Sequence, residues 1–102
     1  MIRTKNKDID YFVTCLRRNL PRLQMEYSVR SLGLFGSYIQ GTQQKDSDLD
    51  ILVDFVEAPG LFCFLNLERD LSHLLKVRVD LVQKEALKPA IGKRILQEVL
   101  KV

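Results

Sequence analysis

Residues 34–55 read LFGSYIQGTQQKDSDLDILVDF. Leu34 and Phe35 close an apolar run, Gly36-Ser37 follow, and a polar loop of glycine, glutamine, lysine and serine leads to a second apolar run that opens with Asp48 and Asp50. This order predicts a strand, a phosphate-sized turn and a second strand carrying paired carboxylates. Alternate side chains of a strand share a face. Asp48 and Asp50 are therefore expected to project together, while Leu49, Ile51, Val53 and Phe55 fill the opposite, buried face. Adjacent carboxylates repel one another unless a cation neutralises them. Magnesium suits such a pair, because it is usually held by one or two carboxylates together with waters and substrate phosphates.

Gly36-Ser37 supplies the other half of a nucleotide site. A glycine at the end of a buried strand lets backbone approach a ligand closely, and Ser37 is placed to open a short helical turn from Tyr38 to Gly41. Backbone amides in such a turn, together with a serine hydroxyl, are donors to phosphate oxygens.

Gly36-Ser37, a spacer of ten residues and then Asp48-x-Asp50 resemble the signature of the DNA polymerase beta-like nucleotidyltransferase superfamily. The short chain resembles its minimal nucleotidyltransferase (MNT) branch, and the likeness runs from Val29 through the C-terminal helix. In that superfamily a third carboxylate stands on the next strand. Asp80, in Val77-Arg78-Val79-Asp80-Leu81-Val82, occupies the matching place. The resemblance implies a nucleotidyltransferase fold, ATP as donor and Mg2+ as cofactor, with two ions held by Asp48, Asp50 and Asp80. The same three aspartates are the implied catalytic residues, and Gly36 and Ser37 the implied nucleotide-binding ones.

The acceptor is a separate matter. A stand-alone minimal nucleotidyltransferase resembles the antitoxin of HEPN/MNT toxin and antitoxin pairs, in which the enzyme attaches AMP to its partner. The implied function is transfer of AMP from ATP to a hydroxyl of a HEPN-type toxin. One departure stands out: many members carry a small and then a basic residue before the second glycine of the turn, where this chain has Ile39-Gln40 before Gly41. Lys45 or Lys84 could replace the missing cation. The departure favours an alternative, a non-catalytic antitoxin or scaffold with a degenerate nucleotide site. A nucleotidyltransferase with a small-molecule acceptor is a third reading.

The remaining chemistry-bearing residues have plainer explanations. His73 has no cysteine or histidine neighbours and reads as an exposed or helix-end residue, not a zinc ligand. Tyr38 reads equally well as an aromatic lid on the turn or as a nucleotide contact. Ser37 lacks the histidine and second glycine expected of a hydrolase nucleophile. Asp54 shares a parity with Asp48 and Asp50, but its place at the far end of the strand predicts exposure, and it is left out of the site.

The chain of 102 residues predicts one domain, 46% hydrophobic and 28% charged, which is ordinary for a globular protein. Its formal charge of +3 and pI near 9.0 are spread through Arg3, Lys5, Lys7, Arg17, Arg18, Arg22, Lys93 and Arg94. With no dense basic tract, these read as a solvated face, and direct nucleic-acid binding is not expected. Cys15 and Cys63 sit in apolar helical patterns without ligand spacing and are read as reduced. Neither a signal peptide nor a long apolar span is present, so no membrane association and a cytoplasmic location are expected. An oligomer is left open.

Along the chain, Ile9, Phe12, Val13, Leu16 and Leu20 predict an amphipathic helix from Asn6 to Arg18, with Pro21 opening a second short helix through Glu26. Strands are expected over Val29–Phe35, Leu49–Phe55 and Val77–Val82. Between the last two, Leu61 to Leu75 form a helix whose wide apolar face could meet the sheet on one side and a partner on the other, with core packing as the default. Lys88-Pro89 introduce a last helix with an apolar stripe of Ile91, Ile95, Leu96, Val99 and Leu100. The expected fold is α/β (α+β): a small mixed three-stranded sheet flanked by helices.

Overall fold

In the computed structural model, which describes residues 7–102, one helix, α1 (Lys7–Tyr27), spans both predicted N-terminal helices. The predicted start at Asn6 and the charges of Arg3 and Lys5 lie outside the described residues. Pro21 sits inside α1 and does not end it. A proline in a helix interior costs about 3 kcal/mol, but Leu16 and Leu23, seven residues apart on one face, are both fully buried. Two core leucines on opposite sides of the proline outweigh the lost hydrogen bond, at about 1.5–3 kcal/mol for each buried side chain.

Ser28, in a left-handed conformation, turns the chain into β1 (Val29–Phe35). After the short α2 (Ser37–Gln40) comes β2 (Leu49–Phe55), antiparallel to β1. The next helix, α3 (Leu61–Leu75), ends at Lys76 in the left-handed region and leads to β3 (Val79–Gln83), parallel to β2. β3 therefore starts two residues later than predicted, because the chain spends Lys76 and Val77 on capping α3, with the Val77 amide bonded to the Ser72 carbonyl. A 3-10 turn at Lys84–Ala86 precedes α4 (Pro89–Glu98).

The sheet is mixed, as expected, but has four strands and not three. Leu100–Lys101 form β4, antiparallel to β1, in the order β3-β2-β1-β4. Val99 and Leu100 accordingly leave the predicted stripe of α4. Within that helix Ile91 and Leu96 are exposed, so the stripe does not bury as its period suggested.

The core lies on one face of the sheet. Leu49, Ile51, Val53 and Phe55 of β2 point into it, as the alternation predicted, and meet Leu16 and Leu23 of α1 and Leu67, Leu71 and Leu75 of α3. The even positions of β2, Asp50, Leu52 and Asp54, face the other way. A bidentate contact locks the two core helices together. Arg22 Nη1 and Nη2 donate to Asp70 at 2.9 and 3.1 Å, and the Tyr27 hydroxyl donates to the same carboxylate at 2.8 Å. The Arg22 guanidinium and the Tyr27 hydroxyl hold Asp70 below the usual carboxylate range, and burial pushes Tyr27 up to about 12. Cys15 and Cys63 are both free thiols. Among the described residues no helix is long and apolar enough to cross a membrane.

Candidate active site

The turn after β1 is built around Gly36. Its φ of 79° lies where residues with a side chain are strained, and a Cβ added there would run into the Asp50 carboxylate. The glycine is what lets the turn and the β2 carboxylate share this space. Gly36, not Ser37, occupies the N-cap position of α2, so Ser37 is the first helical residue and its hydroxyl makes no capping bond. The Gly36 carbonyl accepts from the amides of Ile39 and Gln40, at 3.1 and 3.0 Å. Gly41 closes the turn in the left-handed conformation. Tyr38 is half-buried with its ring edge-to-face on Phe12 at 5.5 Å. Burial, followed by the charges of Asp8 and Asp48, raises its hydroxyl pKa.

Of the three predicted carboxylates, the fold brings two directly together. Asp50 and Asp80 are register partners across the parallel β2–β3 pair, so both rise from the same face at neighbouring positions. Asp50 is pushed up to about 6, first by burial, then by the charge of Asp80 and a hydrogen bond shared with it, and last by Asp48. Asp48 lies one residue before β2, is exposed, and is turned to Arg78, with its Oδ1 3.1 Å from Arg78 Nε. Among the described residues the three therefore do not stand gathered as a ready ligand cluster. The donor set still fits a divalent ion. Two facing carboxylates, one burdened by the other's charge, are hard oxygen ligands wanting a cation, and a third carboxylate near them now uses an arginine in that role.

Arg78 was not singled out from the sequence, although its parity offered the signal: two residues before Asp80, a strand side chain shares that residue's face. Gln40, where the resemblance led to the expectation of a basic residue, donates to Glu98 Oε1 at 2.7 Å and ties α2 to the last turn of α4. Lys84 does not stand near the turn. It lies 4.0 Å from Asp54, at the other end of β2. Asp54 is also less exposed than predicted, its side chain 14% accessible between Lys84 and Arg30. A concavity of about 400 Å³ opens at that end, bordered by Leu52, Asp54 and Val99 but not by Asp50 or Asp80.

Comparison with known proteins agrees with this architecture. The family model Polymerase beta, Nucleotidyltransferase matches residues 20–101. Protein adenylyltransferase MntA of Thermococcus cleftensis is 45% identical over 96 residues, covering 94% of each chain. A solved structure described as a minimal nucleotidyltransferase is 32% identical and superposes with a TM-score of 0.74 over 88% of this chain and 92% of that one. A toxin-antitoxin structure with AMP-PNP is 26% identical, with a TM-score of 0.67 over 93% and 71%. With a family match over most of its length and a relative of this identity along nearly all of it, the chain belongs to the polymerase beta nucleotidyltransferase family and is a nucleotidyltransferase.

Proposed function

We propose that the chain is the antitoxin enzyme of a HEPN/MNT pair and transfers AMP from ATP to a hydroxyl of its HEPN-type toxin, with Mg2+ as cofactor. The observation that carries this reading is the register pairing of Asp50 with Asp80 beside the Gly36 turn. A pure binding surface gains nothing from two facing carboxylates, one with its pKa raised to about 6. The relatives add support, being named protein adenylyltransferase in one case and toxin-antitoxin with AMP-PNP in another.

In this reading the acceptor oxygen attacks the α-phosphorus, its bond to phosphorus forms as the bond to the bridging oxygen of pyrophosphate breaks, and the hydroxyl proton passes to a carboxylate, the role we assign to Asp80. Gly36 and Ser37 hold the terminal phosphates through backbone amides and the serine hydroxyl. Asp48, Asp50 and Asp80 would hold the divalent ions, which when bound supply positive charge to the attacking and leaving oxygens. The chain's own contribution is positioning and a fixed electrostatic environment.

One observation favours the second reading, a binding antitoxin with a degenerate nucleotide site: Gln40 is engaged by Glu98 and offers no charge to a phosphate. The deciding experiment incubates the chain with α-labelled ATP, Mg2+ and the purified HEPN-type toxin, beside an Asp48→Ala, Asp50→Ala control. Label on the toxin, absent in the control, is the expected result. No transfer, no Mg2+-dependent ATP binding and an unchanged toxin complex in the control would leave only the binding module.

A further inference from the structure

We propose that the outward face of α3 is the docking surface for the protein that supplies the acceptor hydroxyl. The partner meets this face with an amphipathic segment whose apolar side chains cover Leu61, Phe62 and Leu65 and whose carboxylates lie against Arg69 and Lys76. The inference rests on the acceptor being a protein, as in the preceding reading, and adds where that protein sits and what chemistry it presents.

α3 has two faces of different fate. Leu67, Leu71 and Leu75 are buried against the sheet, whereas Leu61, Phe62 and Leu65 are 69%, 80% and 43% exposed. Three large apolar side chains within five residues form a contiguous patch, not scattered exposure, and such patches mark interaction sites. Phe62, Leu65, Arg69 and His73 follow one another at spacings of three and four, so they form a single stripe about 17 Å long, apolar at one end and basic at the other, with Lys76 at the cap just beyond it.

The charge on this stripe is unbalanced because the acids of α3 are committed elsewhere. Glu68 accepts from the Leu81 amide at 2.9 Å, and Asp70 is held by Arg22 and Tyr27. Arg69 and Lys76 have no ion-pair partner among the described residues. The complement is an apolar surface continued by carboxylates. A second copy of this chain is a poor match, because pairing through the leucines and Phe62 would leave the basic half uncovered and bring together two chains of formal charge +3.

The stripe also adjoins one residue of the candidate site, Asp48. Asp80 stands on β3, the edge strand, with its side chain on the sheet face opposite the core helices, and the free edge of β3 is bonded to side chains of α3. A partner cannot simply add a strand there, since the outward amides of Val79 and Leu81 are already bonded to Ser72 Oγ and Glu68 Oε2. It must use the side-chain surface of α3. On that surface a groove of about 340 Å³ is bordered by Leu65, Arg69, Arg78 and Asp48, so it reaches Asp48 but not Asp50 or Asp80.

The test measures the affinity of fluorescently labelled, purified HEPN-type toxin for the full chain and for three variants, with Mg2+-dependent ATP binding recorded for each. Phe62→Asp with Leu65→Asp should weaken toxin binding on the order of thirtyfold or more, as loss of a central apolar anchor does. Arg69→Glu, a change at an exposed side chain, should weaken it about fivefold to tenfold and flatten its salt dependence. Met25→Asp, which alters an apolar side chain on α1 at least as exposed as these, should leave it unchanged, and all variants should bind ATP as the parent does. Unaltered toxin affinity in the α3 variants overturns the inference. So does a self-associated parent chain that the double variant disperses, which would make a second copy the occupant. If the unmodified chain itself fails to bind the toxin, the proposed function falls first, and that result is visible before any variant is compared.

Discussion

Asp50 and Asp80 face each other across a parallel strand pair as register partners, and burial together with the neighbouring charge pushes Asp50 up to about 6. A divalent ion held there must displace the Asp50 proton, so its binding is linked to pH. Affinity for Mn2+ should be level above about pH 7 and fall by nearly tenfold for each unit below about 6. Titration of the chain with Mn2+, followed by electron paramagnetic resonance at several pH values, checks this. A flat profile would remove Asp50 from the ligand set.

The same residue sets a stability trend in the ion-free chain. Its folded pKa is raised above the unfolded value, so the folded state holds the proton more tightly, and Asp50 contributes stability that is present below about pH 4 and lost as pH rises through about 6. Asp50→Asn removes that loss. Discounted for the solvent the carboxyl still sees, the variant should gain about 1 kcal/mol over the parent near pH 7.5, with the gain vanishing below about pH 4. Urea unfolding of both proteins across this range is the measurement, and ion binding should be lost in the same variant.

The sequence made the candidate site legible where it is local. Asp48, Asp50 and Gly36 lie within fifteen residues, and strand alternation alone put Leu49, Ile51, Val53 and Phe55 in the core. What escaped it depends on distance or on competing energies. β4 is two residues long, too short for any period, and Val99 and Leu100 continue the helical spacing that precedes them. Pro21 reads locally as a break, and tertiary contacts beyond it, the burial of Leu23 and the bonds of Arg22 and Tyr27 to Asp70, keep α1 whole. The Gln40–Glu98 bond joins residues 58 apart, so no local pattern announces it.

Gly36 should tolerate no side chain. Alanine there combines a positive φ with a Cβ placed on the Asp50 carboxylate, so the turn must open or Asp50 must move. The backbone strain alone costs about 1–2 kcal/mol. Gly36→Ala should lower the unfolding midpoint and reduce ATP binding by on the order of tenfold or more, because the turn and the carboxylate can no longer share the space. Retention of both would show that the turn is not a phosphate cradle.

Asp70 predicts a pH trend opposite to that of Asp50. Its folded pKa is lowered, first by the Arg22 hydrogen bond and then by Tyr27, so it contributes stability present above its unfolded pKa and lost as pH falls through the folded one. Asp70→Asn should cost about 1–2 kcal/mol at neutral pH through the weakened bonds to Arg22 and Tyr27, and the cost should shrink in acid. Since the cluster joins α1 to α3 inside the helical layer, AMP transfer measured below the unfolding range should be unaffected.

Arg78 occupies the carboxylate of Asp48 that a metal ion would need. The two are bonded at 3.1 Å, yet both side chains are largely in solvent, 79% and 46% exposed, so the pair stabilises the fold by no more than about 1 kcal/mol. Removing the arginine frees Asp48 for a divalent ion without costing the fold. Arg78→Ala should therefore leave the unfolding midpoint nearly unchanged while tightening Mn2+ binding by about twofold to fivefold, the factor that a contact of this strength can withhold. Asp48→Asn should abolish that gain when combined with Arg78→Ala. Weaker ion binding in Arg78→Ala would mean that the arginine positions Asp48 for the ion and does not compete with it.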